Sequence, residues 1–291
     1  MTRPLGPRTT PLASDRYRVI ASLARGGIAN LFLAEDLVTN ERVALKVLDP
    51  IHANHGEIID RLLAEHAIGQ RARHPNLVEI RTAERNLGGL PFIAMELLDG
   101  ENLGDLAERG LLELDALLAI AAQVTQGLAA LHAAGVTHCD IKPENVFVLY
   151  DTGRHGWPRV KLVDYGVART VETPHPEDET IAGTPPYMAP EQWRGRPCDR
   201  SDVYALGCML FELSTGHLPF TGTLPQLMMM HTEALPPRPS SFHANLPAAL
   251  DRLIMRCLAK HPTMRPTIGD VHAELVELQH QLQPELIAAA G

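Results

Sequence analysis

Cysteine is scarce in this chain: Cys139, Cys198, Cys208 and Cys257 are the only four in 291 residues, and no two form a C-x-x-C pair. That spacing excludes a disulfide framework and a thiolate zinc set, so a reducing cytoplasm is the expected compartment. A basic excess is lacking too, since 26 Lys and Arg stand against 35 Asp and Glu, for a net charge of −9. Phosphate backbones reward clustered cations, so no nucleic-acid surface is expected, whereas a small anion needs only a local positive site. No long apolar run goes uninterrupted. The longest, Leu111 to Ala134, is broken by Glu113, Asp115, Gln123 and Gln126. Its Leu114, Leu117, Leu118, Ala121, Val124, Leu128 and Leu131 recur at helical spacing, which predicts a buried amphipathic helix and no membrane span. The Pro- and Thr-rich start, Met1 to Ser14, has no apolar h-region, so no signal peptide is expected. None of the 14 histidines has the i, i+4 spacing beside a carboxylate that a helical zinc site uses. His52 and His55 could share a metal or be solvated loop histidines.

What is present reads as a globular protein. Hydrophobic residues make up 45% and charged residues 21%, a balance that excludes wholesale disorder. The length suits one large core or two adjoining ones. Residues 1–14 read as a flexible arm. Residues 15–97 read mostly as strands: Tyr17, Val19 and Ala21 alternate, a glycine-bearing turn follows, then Leu31–Ala34, Arg42–Leu48, Leu77–Ile80 and Phe92–Met95. One helix, from about Glu57 to Arg71, interrupts them and stops before His74-Pro75. From 98 to 281 the pattern turns helical, with candidates at 103–108, 115–134, 201–215, 224–231, 247–258 and 267–281 and two short strands, Val146–Leu149 and Val160–Val163. Residues 282–291 form a tail, and no internal repeat is visible. A ligand is expected in a cleft between the two lobes.

Four motifs fall in order: Val43-Ala44-Leu45-Lys46, His138-Cys139-Asp140-Ile141-Lys142-Pro143-Glu144-Asn145, Asp164-Tyr165-Gly166 and Ala189-Pro190-Glu191. Together they resemble the signature set of eukaryotic-type protein kinases, over roughly residues 17 to 275. One such motif says little, but four in order with suitable spacing are highly specific. Gly183-Thr184-Pro185-Pro186-Tyr187-Met188-Ala189-Pro190-Glu191-Gln192 looks most like the bacterial, Hanks-type Ser/Thr branch. The resemblance implies an α+β, bilobal protein-kinase fold, with a small β-rich N-lobe, a larger helical C-lobe and the ATP site in the cleft.

Moving a γ-phosphoryl group requires a triphosphate held in line with a hydroxyl, and charge offset as it builds on the leaving oxygen. The resemblance gives Lys46 the α- and β-phosphates, with Glu65, nine residues before His74, to hold it. Glu57 and Glu79 match by type but sit at the wrong places. Asp140 is then the acceptor of the hydroxyl proton. Lys142 lies against the γ-phosphate and favours Ser or Thr over Tyr. Asn145 and Asp164 offer hard oxygens to Mg²⁺ or Mn²⁺. The same carry-over places ATP against Leu23, Ala24, Arg25, Gly26, Gly27, Ile28, Ala29, Asn30 and Leu31. Ala44, Met95, Glu96, Leu98 and Phe147 would line the adenine, though each could equally be plain core. Asp202 would brace the catalytic loop, and Arg265 would pair with Glu191.

The sequence departs from the family pattern in four places. The turn G-x-G-x-x-G-x-V reads Ala24-Arg25-Gly26-Gly27-Ile28-Ala29-Asn30-Leu31. Alanine resists positive φ, so weaker ATP binding is expected, without loss of activity. Cys139 replaces the arginine that many kinases place before the catalytic Asp, and Glu172, Glu177, Asp178 and Glu179 surround Thr180. Activity is therefore expected not to depend on activation-loop phosphorylation, and alanine at both Thr173 and Thr180 should leave the rate nearly intact. Cys139 itself is either a buried inert thiol or a redox-sensitive one. Gly69 stands where kinases usually carry a larger apolar residue, so the helix is expected to be loosely held. Tyr165 replaces Phe, and its hydroxyl needs a partner.

The leading reading is an ATP- and Mg²⁺-dependent Ser/Thr protein kinase, a phosphotransferase acting on protein hydroxyls in signalling. One rival is a pseudokinase or scaffold on the same fold, suggested by the altered turn and by Cys139. Another is a small-molecule phosphotransferase, which would lack the Gly183–Glu191 platform for a protein substrate. If the chain is complete, its signal would come from a regulatory partner or from its own sequence.

Overall fold

A computed structural model describes residues 14–152, 158–170 and 182–282. Chain contacts divide it into two compact units. The first comprises the residues up to Arg73, Leu77–Asp99 and Asp164–Gly166; the second comprises His74–Asn76, Gly100–Val163 and everything from Val167 onward.

Alternation builds the first unit. Along β1 (Tyr17–Arg25), Tyr17, Val19 and Ala21 are buried while Arg18 and Ile20 face outward, the period-2 pattern of a half-buried strand. β2 (Ala29–Asp36) and β3 (Glu41–Leu48) follow, then helix α1 (Gly56–Arg71), β4 (Ile80–Arg85) and β5 (Pro91–Glu96). The sheet is antiparallel with order β1-β2-β3-β5-β4. Tyr17, Val19, Ala34, Val43, Leu45, Phe92 and Ala94 form its core, with the Tyr17 and Phe92 rings edge to face at 5.7 Å. α1 packs on β4 and β5 through Leu62, Glu65, Ile68 and Gly69, the i, i+3, i+4 face of a helix. It stops at Ala72, whose backbone is extended, just before the His74-Pro75 step.

One expected strand is displaced. Leu77 and Val78 are buried, but the β4 ladder opens at Ile80, opposite Met95, and runs through Arg81-Thr82-Ala83-Glu84-Arg85. β4 is an edge strand, so its side chains can be polar and apolar periodicity does not mark it.

The second unit begins with β6 (Gly100–Asn102), α2 (Leu103–Ala107) and α3 (Leu114–Ala133). α3 is its centre: it has the length and composition to cross a membrane, yet eleven of its residues are buried in this unit. After β7 (Val136–Thr137) come β8 (Val146–Thr152) and β9 (Pro158–Leu162), joined with β6 in the order β6-β8-β9. β10 (Arg169–Thr170) pairs with β7. The remaining helices are α4 (Asp199–Thr215), α5 (Leu224–Thr232), α6 (Ala248–Cys257) and α7 (Ile268–Leu282). α4 ends at Gly216 with φ 75°, a left-handed cap that glycine adopts without Cβ strain. His74–Asn76 belong to this unit because the Asn76 amide donates to Val160 O (2.8 Å) and Gln123 Oε1 (3.2 Å).

Candidate active site

In the first unit, β3 presents Lys46 next to three buried residues, Val43, Ala44 and Leu45. Its Nζ donates to Glu65 Oε2 on α1 (2.7 Å) and to Asp164 Oδ1 (2.9 Å). Burial alone would lower the Lys46 ammonium, but the two carboxylates outweigh it and hold the amine protonated well above its usual range. Burial pushes Glu65 up, and the ammonium opposes that shift. Asp164 takes φ 66°, and its Oδ1 also accepts from Gly166 N (3.3 Å). The next residue, Tyr165, is buried, and burial pushes its hydroxyl well above the usual range.

Gly69 overturns the expectation of a loosely held α1. A Cβ there would sit 2.8 Å from Ile80 Cβ and 3.0 Å from its Cγ1 and Cδ1. Ile80, 1% exposed, fills the space that a larger residue on the helix would otherwise fill. Helix and strand approach closely because the glycine permits it.

The turn between β1 and β2 closes with Gly26 N donating to Ala29 O (3.1 Å). Ala24 and Ala29 lie in strands with negative φ, so the strain expected of alanine does not arise. Any effect on a nucleotide must come from the bulk of the two methyl groups. Ladder pairing sets Leu31 opposite both Ala24 and Lys46, and Ala44 opposite both Leu33 and Met95. Leu23, Arg25 and Ile28 are exposed; Asn30, Leu31, Met95, Glu96 and Leu98 are half-buried. His52 and His55 meet edge to face at 5.6 Å, and the described residues contain no group of three metal-binding side chains.

The second unit assembles the remaining polar residues. The loop after β7 puts Cys139 at φ 67°, and Asp202, fully buried on α4, braces it. Asp202 Oδ2 accepts from His138 N (2.8 Å) and lies 2.8 Å from His132 Nε2, while its Oδ1 accepts from Cys139 N (2.8 Å). Asp140 follows directly. Its Oδ1 accepts from the Thr184 hydroxyl (2.7 Å), which in turn accepts from Lys142 Nζ (2.7 Å). Lys142 Nζ also lies 3.1 Å from Asp140 Oδ2, and the Asn145 amide donates to Asp140 O (2.8 Å) and Oδ2 (3.0 Å). Phe147, half-buried on β8, stands opposite Asn102 and Lys161.

Cys139 is 4% exposed, and burial raises its thiol well above the usual range. A thiol kept protonated is a poor nucleophile, so the inert alternative holds. Thr173, Thr180 and the acidic residues around them lie outside the described residues.

Glu191 and Arg265 form the expected buried pair, with Nη1 to Oε1 at 2.6 Å and Nη2 to Oε2 at 2.9 Å. The Ser201 hydroxyl donates to Glu191 Oε1 (2.6 Å). Gln192 Nε2 reaches Cys139 O (2.8 Å), which ties the Gly183–Gln192 segment to the loop that carries Asp140. Thr184 and Gln192 are the members of the site that residue chemistry alone did not single out as such. Both stand within the Gly183–Gln192 motif, but nothing local pairs them with residues more than forty positions earlier.

Comparison with known proteins fits this geometry. The protein kinase domain family matches residues 17–276. Serine/threonine-protein kinase Pkn1 of Myxococcus xanthus is 35% identical over 274 residues, 93% of this chain and 38% of the relative. Serine/threonine-protein kinase PknB is 34% identical over 286 residues in Mycobacterium leprae and 35% over 288 in Mycobacterium tuberculosis, in both cases 95% of this chain and 45% of the relative. The chain thus spans less than half the length of these curated relatives.

Proposed function

This chain belongs to the protein kinase domain family, and on that premise we propose that it transfers the γ-phosphoryl group of ATP to Ser and Thr hydroxyls of proteins. One observation carries the reading. The Thr184 hydroxyl is held between Asp140 Oδ1 and Lys142 Nζ at 2.7 Å from each, which supports a loop that receives an alcohol. On this reading the carboxylate would accept the hydroxyl proton, and the ammonium would offset negative charge on the oxygen. A substrate Ser or Thr would take the place of Thr184 there.

Lys46, kept charged by Glu65 and Asp164, supplies a cation for the α- and β-phosphates. The family implies a divalent metal, and the donor chemistry fits Mg²⁺ or Mn²⁺. Asn145 uses its amide nitrogen on Asp140, which leaves the amide oxygen for a hard cation, and Asp164 is a half-exposed carboxylate. The bound metal would offset phosphate charge. Leu23, the Ala24–Leu31 turn, Ala44, Met95 and the Glu96–Leu98 backbone would hold the nucleotide in the first unit. Glu96 N donates to Glu79 O (2.9 Å), so a backbone donor to adenine would be Leu97 N or Leu98 N. With Lys46, Glu65, Asp140, Asn145 and Asp164 all present, transfer is favoured over a scaffold that only binds nucleotide. Four free cysteines suit a reducing cytoplasm. A regulatory protein partner belongs to the same proposal.

The test is intact mass after incubation with Mg-ATP and a basic protein substrate, beside an Asp140→Asn control. Phosphate gained only in the wild-type tube is the expected result. Nucleotide binding with no phosphate gained in either tube would put the scaffold reading ahead.

A further inference from the structure

The turn between β1 and β2 is held from one side by the segment that follows β3. Gly27 O lies 2.9 Å from His52 Nε2, and Ile28 O accepts from Asp49 N (2.9 Å). Asn30 Nδ2 donates to Asp49 Oδ2 (2.9 Å). Residues 27, 28 and 30 are thus each tied to Asp49 or His52. The support is itself locally fixed: Asp49 caps the one-turn helix Pro50–His52 by accepting from Ile51 N (3.1 Å), and His52 N donates back to Asp49 O (2.9 Å). Packing around Gly27 does not hold the turn: Gly26 and Gly27 are exposed, and a Cβ on Gly27 would meet nothing within 4 Å, whereas one on Gly26 would meet Ala29 O at 2.8 Å.

In a planar trans peptide the N–H points opposite the C=O. Pinning the Gly27 and Ile28 carbonyls therefore also sets the directions of the Ile28 and Ala29 N–H groups. Backbone N–H groups in such a turn are what a phosphate would contact. A turn left free would have to be ordered when the nucleotide binds, at an entropic cost.

We propose that His52 is a positioning residue for nucleotide binding, acting through the Gly27 carbonyl to pre-order the phosphate-covering turn. This rests on reading Ala24–Leu31 as that turn. His52 is none of the residues the motif pattern assigns to ATP; it comes forward only because the fold brings it to Gly27.

The experiment compares the full-length wild type with His52→Ala and His52→Gln. It reads Mg-ATP affinity by calorimetry, kcat at saturating ATP, and backbone hydrogen exchange over residues 24–31. His52→Ala should weaken affinity about three- to tenfold, as expected for one hydrogen bond. It should leave kcat within about twofold and speed exchange at Ile28 and Ala29. Glutamine keeps an N–H donor and should restore most of both effects. Unchanged affinity and exchange in His52→Ala would overturn the proposal. So would a fall in melting temperature alone, or a loss that glutamine does not recover. Wild type that binds no Mg-ATP would instead sink the kinase reading, and this role with it.

Discussion

Replacing Arg265 tests how the Ala189-Pro190-Glu191 segment is held. The Arg265 side chain is fully buried and donates five hydrogen bonds: to Glu191 Oε1 (2.6 Å) and Oε2 (2.9 Å), and to the carbonyls of Ala259 (2.7 Å), Arg200 (2.8 Å) and Lys260 (3.0 Å). That uses every N–H a guanidinium has. Arg265→Met leaves Glu191 as a buried carboxylate with only the Ser201 hydroxyl among the described residues and leaves three carbonyls without this donor. Removing one partner of such a pair costs about 3–5 kcal/mol, because the other charge stays buried and uncompensated. Arg265→Lys keeps the charge but offers three donors in place of five, so about 2–3 kcal/mol is expected. Glu191→Met exposes the opposite imbalance. The double variant, with both charges gone, should be more stable than the sum of the singles by about 2 kcal/mol or more. Urea unfolding at neutral pH, with m-values checked for constancy, reads wild type and all four variants. A loss below about 1 kcal/mol in Arg265→Met, or additivity within about 0.5 kcal/mol, would refute the reasoning.

Three further outcomes follow from individual contacts. Gly69→Ala should gain about 1 kcal/mol in helix propensity and lose about 1–3 kcal/mol to overpacking against Ile80, so a lower urea midpoint is expected and a higher one would contradict the close approach. Arg16 holds the buried Asp36 carboxyl at about 2, against 3.8 ordinarily, through contacts of 2.7 and 3.0 Å. Because the unfolded chain takes up that proton first, the contribution is full above about pH 4 and lost as pH falls toward 2; Asp36→Asn should cost about 1–2 kcal/mol at pH 7 and little at pH 2, read from unfolding across that range. Cys139 is buried and its thiol raised, so native alkylation at pH 8 should modify half-buried Cys198 first and leave Cys139 untouched; peptide mapping that finds Cys139 modified early would reverse that view.

Much of the fold was legible because its elements announce themselves by period. Tyr17, Val19 and Ala21 alternate as a strand facing one core must. The apolar positions between Leu114 and Leu131 recur as a buried helix requires, and the element observed is Leu114–Ala133. Where both faces meet different surroundings, period failed: edge strand β4 was expected at Leu77–Ile80 and runs over Ile80–Arg85, and β6, β7 and β10, two or three residues each, are too short to carry a pattern.

The candidate site divides in the same way. The family resemblance carried by the four ordered motifs named Lys46, Glu65, Asp140, Lys142, Asn145 and Asp164 as candidates, and a side chain's charge and donor set are properties of the residue. What they touch was decided by folding. Only tertiary structure sets the Thr184 hydroxyl between Asp140 and Lys142, seats Ile80 against Gly69 and brings His52 to Gly27. Such pairings join residues from 11 to 44 positions apart, or lie across a sheet from a helix, and depend on directions that no local pattern encodes. The physical reason is that chemistry belongs to the residue, whereas distance belongs to the packed core that fixes the backbone beneath it.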